Sequence, residues 1–384
     1  MLIVCTIAPT VRGFLLPYAE HYRRLGWDVE AAANGATTDP VLLATFDRVH
    51  ELPLSRSILD VGGIARSLAA MSKVLEAGFD LVHVHTPIAA FVTRAAARRM
   101  PRATRPAVVY TAHGFHFHGQ GGALTNTIFL TAEKVSGRWT DRLIVINQED
   151  HDAALRHRIV PARRLVLMPG IGVDTDKYSR ARLSPDAIAD ARSGIGISPG
   201  TPLFVDVAEF TRRKRPLEMI RAMSRMRHAE AHLVMLGEGP VRPEAEELVT
   251  SLGLNDRVHM LGFVPDVRPV VAAAVALVLP SDREGLPRSI MEALSMEVPV
   301  IASDARGNPE LVLPDAGLIF PVGDVDALAA AMDSLIDRPD EARMMGQSGR
   351  ARMVDQYDLP ILIEQHAHLY EEVLAERSRL TDVR

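Results

Sequence analysis

The chain has a single cysteine, Cys5, in 384 residues, so no internal disulfide can staple the fold. That scarcity fits a reducing compartment, and a cytoplasmic location is expected. No uninterrupted apolar stretch approaches the ~20 residues needed to span a bilayer, so any membrane contact should be peripheral, at the inner leaflet. The opening MLIVCTIAP lacks a basic n-region and reads as a first strand rather than a signal peptide. Lysine is nearly absent, with four residues against 39 arginines. Low-complexity segments and short repeats are missing too, which argues against disorder and solenoids.

What is present is an ordinary globular composition, 47% apolar and 24% charged, in a chain too long for one core. The net charge of -5 is uneven. Residues 1–165 carry 19 basic against 14 acidic side chains, and the remainder 24 against 34. A basic first half either meets an anionic ligand or surface or is simply solvated.

Short apolar runs alternate with amphipathic stretches. Strands are expected at 2–7, 29–33, 81–84, 108–111 and 143–146, with a helix from Phe14 to Leu25. A second series follows the turn-rich 169–174, with strands at 203–207, 232–236, 258–260, 276–279 and 299–302. Helices are expected at 216–226, 243–252, 288–295 and 325–336. This alternation implies parallel sheets covered on both faces, hence an α/β chain of two doubly wound, Rossmann-like domains, 1–165 and 166–359. Such sheets bind ligands at the carboxyl ends of their strands, so the two are expected to face each other across a cleft.

The segment LVLPSDREGLPRSIMEALSMEVPVIASD joins an apolar strand, a loop through Glu284, Gly285, Leu286 and Pro287, a helix, and another apolar strand. A new helix offers unpaired N–H groups and a positive dipole end to an anion such as a diphosphate, and glycine allows a close backbone turn. Glu292, about a turn inside the helix, has the chemistry to accept from ribose hydroxyls, while Glu284 addresses a sugar. The plainer reading is a dipole partner and a solvated helix residue.

EGLP-x-x-x-x-EA followed by PVIASD resembles the acidic motif of glycosyltransferase family 4. So do GEGP at 237–240, VHMLGFVPDV at 258–267, RGNPELV at 306–312 and MPGIGVD at 168–174. The resemblance covers nearly the whole chain and points to bacterial capsule and exopolysaccharide transferases. It implies the GT-B fold, with the closing helix 360–384 packing back on the first domain. It assigns the two glutamates to the donor and makes Phe263 and Val264 candidate base contacts. His113, after the strand in VVYTAHGFHFHG, takes the place of the histidine facing the transferred sugar. His116 and His118 are left to acceptor contacts or loop packing, and His85 to structure. The family implies no cofactor, no metal and no nucleic-acid partner. The expected partners are a nucleotide-sugar donor, a saccharide or polyprenyl-diphosphate-linked saccharide acceptor, and an anionic membrane surface.

Two segments depart from the family pattern. Where relatives show Gly-Arg-x-x-x-x-Lys-Gly, this chain reads VAEFTRRKRP, with Lys214 in the lysine position but Glu209 in place of the arginine. Arg212 or Arg213 is left to compensate. The first loop, APTVRG, keeps only Gly13 for a backbone approach to the diphosphate. The densest basic cluster, Arg94, Arg98, Arg99, Arg102 and Arg105, is expected to dock the first domain on anionic lipid.

The reaction implied is retaining transfer of a hexosyl- or N-acetylhexosaminyl-type sugar from a nucleotide diphosphate donor, a UDP-sugar, to an acceptor hydroxyl. His113, Lys214 and Glu284 are the catalytic candidates, and Gly13, Arg212, Phe263, Val264, Gly285, Leu286 and Glu292 the binding ones. The competing readings are a nucleotide-sugar epimerase or phosphorylase, an inverting transferase, and a non-catalytic nucleotide-sugar-binding protein.

Overall fold

The computed structural model describes residues 1–54, 60–117 and 122–382, apart from the side chains of Val61 and of residues 380–382. The chain forms two compact units, one of residues 1–171 and 361–384, the other of 172–360.

The first unit is built on seven parallel strands: β1 (Leu2–Ile7), β2 (Glu30–Asn34), β3 (Arg48–Glu51), β4 (Leu81–His85), β5 (Ala107–Ala112), β6 (Arg142–Val145) and β7 (Leu165–Leu167). Their order is β3-β2-β1-β4-β5-β6-β7, with β1↔β4 in register from Leu2↔Val82 to Val4↔Val84. Because β7 pairs with β6 (Leu143↔Leu165), the division falls after Ile171 and not after residue 165.

The second unit has six parallel strands: β8 (Leu203–Val207), β9 (His232–Leu236), β10 (Val258–Gly262), β11 (Ala276–Leu279), β12 (Val300–Ser303) and β13 (Gly317–Phe320). Their order is β10-β9-β8-β11-β12-β13. Both sheets thus reverse direction of growth beside their first strand, the switch point at which open α/β sheets take ligands.

Helices cover both faces, which is why the central strands are largely apolar and buried on both sides. In the second unit alternate residues separate cleanly: Leu203, Val205, Leu277 and Leu279 enter one core, Phe204, Ala276 and Val278 the other. In the first unit Leu2, Val4, Val108 and Tyr110 share a core with Ala89, Ala90, Ala96 and Ala97 of helix Pro87–Arg99.

That helix corrects one expectation. Arg94 is no surface residue: its side chain is 1% exposed, donates to Glu133 at 3.1 Å, and lies 4.4 Å over the Tyr110 ring. It sits on the same helix face as Ala90 and Ala97, so it is drawn into the core and paired there, as a buried charge must be.

The closing helix, Leu359–Asp382, packs in the first unit through His366, Tyr370 and Arg377. The Tyr370 hydroxyl meets His83 Nδ1, and Tyr18 lies edge-on to His366 with centroids 5.1 Å apart. Arg377 donates to Pro106 O at 2.7 Å and to Asp141 at 3.2 Å.

Candidate active site

At the switch point of the second sheet, the loop after β8 meets the loop after β11. A single turn of 3-10 helix, Arg212–Lys214, precedes helix Pro216–Arg225, with Arg215 left-handed at φ 52° between them. The two loops are laced together: Asp282 N donates to Arg213 O at 2.9 Å, Arg213 Nη1 donates to Arg283 O at 2.8 Å, and Arg215 pairs with both Asp282 and Glu218.

Inside this lacing Lys214 Nζ donates to Glu284 Oε1 at 2.6 Å, and Arg213 Nη1 lies 3.5 Å from the same oxygen. Glu284 is 7% exposed, and these cations are the partners it has in that buried position. Lys214 has three ammonium donors, and the pair uses one. Sequence reasoning placed Lys214 and Glu284 separately; the structure brings them together.

A further carboxyl, Asp206 on β8, escaped the sequence reading. It is 2% exposed, and its Oδ1 is buried without a hydrogen-bond partner. Burial raises its pKa to about 7, with Lys214 pulling it down and Glu284 pushing it up. Its one visible signal was an acid inside the apolar run LFVDV.

Of the two arginines left open, Arg213 is the one beside Glu284. Arg212 turns away, 82% exposed, to pair with Glu244 at 3.2 Å. Glu209 is exposed.

Helix Arg288–Ser295 starts after Pro287, so Gly285 and Leu286 lie in the loop before it, partly buried, and not at its first turn. Arg306 Nε donates to Glu284 O at 3.2 Å. Gly307, at φ 84°, has no room for a side chain: a Cβ there would stand 1.8 Å from Gly285 O. RGNPELV thereby closes on EGLP, and Gly237 of GEGP likewise closes on Ala208 O, 2.0 Å from where its Cβ would be.

Glu292 projects from the same helix, buried at 9% exposure. Arg288 Nε lies 2.7 Å from its Oε1, and the Tyr178 hydroxyl hydrogen-bonds to it. Burial raises its pKa, against the opposing pull of Arg288 and Tyr178. Phe263, just beyond β10, is 79% exposed, with Val264 half-buried beside it.

In the first unit, His113 follows β5 and meets His85 of β4, Nε2 to Nδ1, at 2.9 Å with the rings stacked. His113 is exposed at its surface, yet the protein mass around it and His366 hold its pKa down, at about 4, so the imidazole is neutral at pH 7. The Nε2 of His85 is buried without a partner. A lone pair there costs less than a stranded N–H, which makes His85 the Nδ1 donor and His113 the Nδ1–H tautomer.

Gly13 is not in a loop. Helix Ala8–Phe14 begins directly after β1, with Pro9 in its first turn, and Gly13 is exposed in its last turn with open space where a Cβ would go. His116 packs on Phe129 at 5.0 Å, and His118 lies outside the described residues.

Comparison with known proteins converges on one chemistry. A model described as glycosyl transferases group 1 matches residues 188–352, and one described as glycosyltransferase family 4 matches residues 15–177. The chain is 31% identical over 376 residues to a putative glycosyltransferase, EpsD, of Bacillus subtilis, covering 96% of each. It is 25% identical to the Escherichia coli UDP-Gal:alpha-D-GlcNAc-diphosphoundecaprenol alpha-1,3-galactosyltransferase, over 81% of this chain and 80% of that one. Among solved structures, Anabaena HepE in complex with UDP superposes with a TM-score of 0.80 at 20% identity, covering 97% of this chain and 99% of that one.

Proposed function

Because the chain belongs to glycosyltransferase family 4 and has the GT-B fold, we propose that it is a retaining transferase using a UDP-sugar, with a hexosyl or N-acetylhexosaminyl group passing to a hydroxyl of a polyprenyl-diphosphate-linked saccharide in bacterial polysaccharide assembly. The observation that carries this reading is Lys214 paired at 2.6 Å with buried Glu284 at the switch point of the second sheet, with Arg213 beside them. The Escherichia coli relative's UDP-Gal donor and diphosphoundecaprenol acceptor, and the UDP held by HepE, support the choice of donor and acceptor class.

Cleaving the bond to the anomeric carbon builds positive charge on the ring and negative charge on the leaving diphosphate. Lys214 and Arg213 present fixed cations to that diphosphate, and preorganised charge of this kind carries much of catalysis. Glu284 holds Lys214 in place and orients the sugar. Glu292 accepts from the ribose hydroxyls, and Phe263 with Val264 flanks the base. His113, neutral and fixed by His85, offers one N–H to the transferred sugar. Retention by a covalent glycosyl-enzyme needs two carboxyls about 5 Å apart, one as nucleophile. Glu284 is instead paired with Lys214, so displacement on the leaving-group face is the assigned route: the acceptor oxygen bonds to the anomeric carbon as the bond to the diphosphate breaks, and its proton passes to the departing diphosphate oxygen. Neither metal nor cofactor takes part in this account.

The test is product stereochemistry. The purified chain is incubated with UDP-glucose, UDP-galactose and their N-acetylamino forms, with a lipid-linked saccharide as acceptor, and the new linkage is read by proton NMR. An α-linkage from an α-donor supports the proposal. A β-linkage makes the enzyme inverting, a free epimer without acceptor makes it an epimerase, and donor binding without turnover makes it a binding protein.

A further inference from the structure

Helix Ala123–Gly137 runs from the His113 side of the first unit to the opposite, amino end of its sheet, where β5 and β6 begin. Among its exposed residues, Leu124, Ile128, Thr131 and Val135, followed by Arg138, recur at i, i+4, i+7, i+11 and i+14 and so line one face, flanked by exposed Thr127 and Lys134. Leu124 is 75% exposed. The helix's one acid, Glu133, points the other way into the core, where it takes Arg94 and the Tyr110 hydroxyl.

The stripe ends at a pocket of about 450 Å³ lined by Arg98, Met100, Arg102, Arg105, Arg138 and Trp139. Four guanidinium groups line it and no carboxylate does. Among the described residues, Arg98, Arg102 and Arg138 make no ion pair. Arg105 spends Nη2 on the carbonyls of Arg98 and Met100, and its Nε is buried without a partner. Burial first, and then the neighbouring Arg98, Arg377 and Arg102, lower the Arg105 pKa against the opposing pull of Asp141.

Free anions and nucleic acid would explain the arginines but not Leu124 and Ile128 on the same face. An anionic bilayer explains both, since interfacial helices combine an apolar stripe with basic flanks, and tryptophan prefers that boundary. We infer that this face docks the protein on an anionic bilayer, the stripe of helix 123–137 entering the interface and the arginine pocket taking a lipid phosphate. The inference deepens the membrane partner of the proposed function: it keeps Arg98, Arg102 and Arg105 of the expected basic cluster, drops buried Arg94, and adds Arg138 and the stripe of helix 123–137. It does not depend on the donor assignment.

The experiment is sedimentation of the full chain with vesicles of phosphatidylglycerol and phosphatidylcholine in graded ratio. Binding should rise with the phosphatidylglycerol fraction and fall with salt. At about fivefold per arginine, R98S/R102S/R138S should weaken binding roughly hundredfold. L124S/I128S should keep the salt-sensitive attraction but lose about tenfold, chiefly at high salt. Thermal unfolding and UDP-sugar hydrolysis in solution should be unchanged in both, since none of these residues lies in the proposed catalytic machinery. Wild-type indifference to phosphatidylglycerol, or equal binding by both variants, overturns the inference. So does tighter binding to duplex DNA than to vesicles at the same salt, or stabilisation by inorganic phosphate without vesicle binding. Sedimentation uses no donor, so its failure and that of the transferase reading are separable.

Discussion

The two sheets share one strand order but end in opposite chemistry. At the end of β4 and just past β5 stand His85 and His113, hydrogen-bonded imidazoles, the first buried and the second exposed at its edge, both with pKa values held down by the protein around them, whereas beyond β8 and β11 stand Lys214, Arg213, Glu284 and, on β8 itself, Asp206. The same backbone therefore supplies uncharged hydrogen-bonding groups in one unit and a compensated cluster of charges in the other. A sugar hydroxyl needs the first kind of partner and a departing diphosphate the second, so the difference follows the division of labour in the proposed reaction. Fold alone says nothing of it.

The comparison breaks most visibly at Lys214. Replacing it by alanine leaves Glu284 only the more distant Arg213, at 3.5 Å, and removes the nearest cation from the leaving group. We expect Lys214→Ala to lower kcat by about 10²- to 10³-fold, the range for loss of one preorganised charge-stabilising donor. Glu284→Ala should also lower turnover, with a smaller effect on donor affinity. Steady-state kinetics with saturating UDP-sugar reads both, and wild-type turnover in either variant would remove the cluster from the mechanism.

Glu292 tests the other side of the cluster, where binding rather than chemistry is assigned. Loss of a charged hydrogen bond is worth about 1.5–3 kcal/mol, so Glu292→Ala should weaken donor binding by roughly 10- to 100-fold while kcat changes less. Calorimetric titration with UDP separates the two, and unchanged affinity would return Glu292 to a structural role with Arg288 and Tyr178.

Much of this contrast was legible in the sequence, for identifiable reasons. Central strands such as Leu203–Val207 are buried on both faces and announce themselves as apolar runs. Edge strands do not: Arg48–Glu51 reads RVHE, half exposed, and Leu165–Leu167 is only three residues long. Glu284, Glu292 and Lys214 were visible because their motif is dense, but their pairing was not, since 70 residues separate Lys214 from Glu284. Successive residues of a 3-10 turn point about 120° apart, so adjacent Arg212 and Arg213 diverge, a fact no spacing rule reveals. Arg94 was misread because its cluster was counted by density. Its helix face, shared with Ala90 and Ala97, carried the correct answer.

Asp206 sharpens the comparison, because it is the charged unit's nearest approach to a neutral group. Its pKa, raised from 3.8 to about 7, means that between those values the folded chain holds a proton the unfolded chain has lost. Its contribution to stability is therefore complete below about pH 4 and is lost as pH rises to about 7, by an amount on the order of 4 kcal/mol at most. Asp206→Asn should abolish that part of the decline. Because the ionised form adds negative charge near the diphosphate, the donor KM should rise severalfold above pH 7 in the wild type and stay flat in the variant. Urea unfolding and donor kinetics from pH 5 to 9 measure both, and parallel profiles would show that Asp206 does not titrate in this range.

The smallest expected effect is none at all. If fixed side chains stabilise the leaving diphosphate, a divalent cation has no part to play, and turnover should survive excess EDTA. Lysine's compact ammonium serves phosphate as a point charge, and here it is held in place by Glu284 and joined by Arg213, so the two positive charges that a bridging divalent metal would supply are already built into one turn of the chain. The comparison between the units gives this test its force. A metal would need ligands, and the charged cluster commits Glu284 to Lys214 and Asp282 to Arg215. EDTA-treated enzyme is assayed with UDP-sugar, then with Mg²⁺ or Mn²⁺ restored. Loss of activity recovered by either ion would mean that Lys214 is insufficient and that the carboxylates exchange their cationic partners for the metal during turnover.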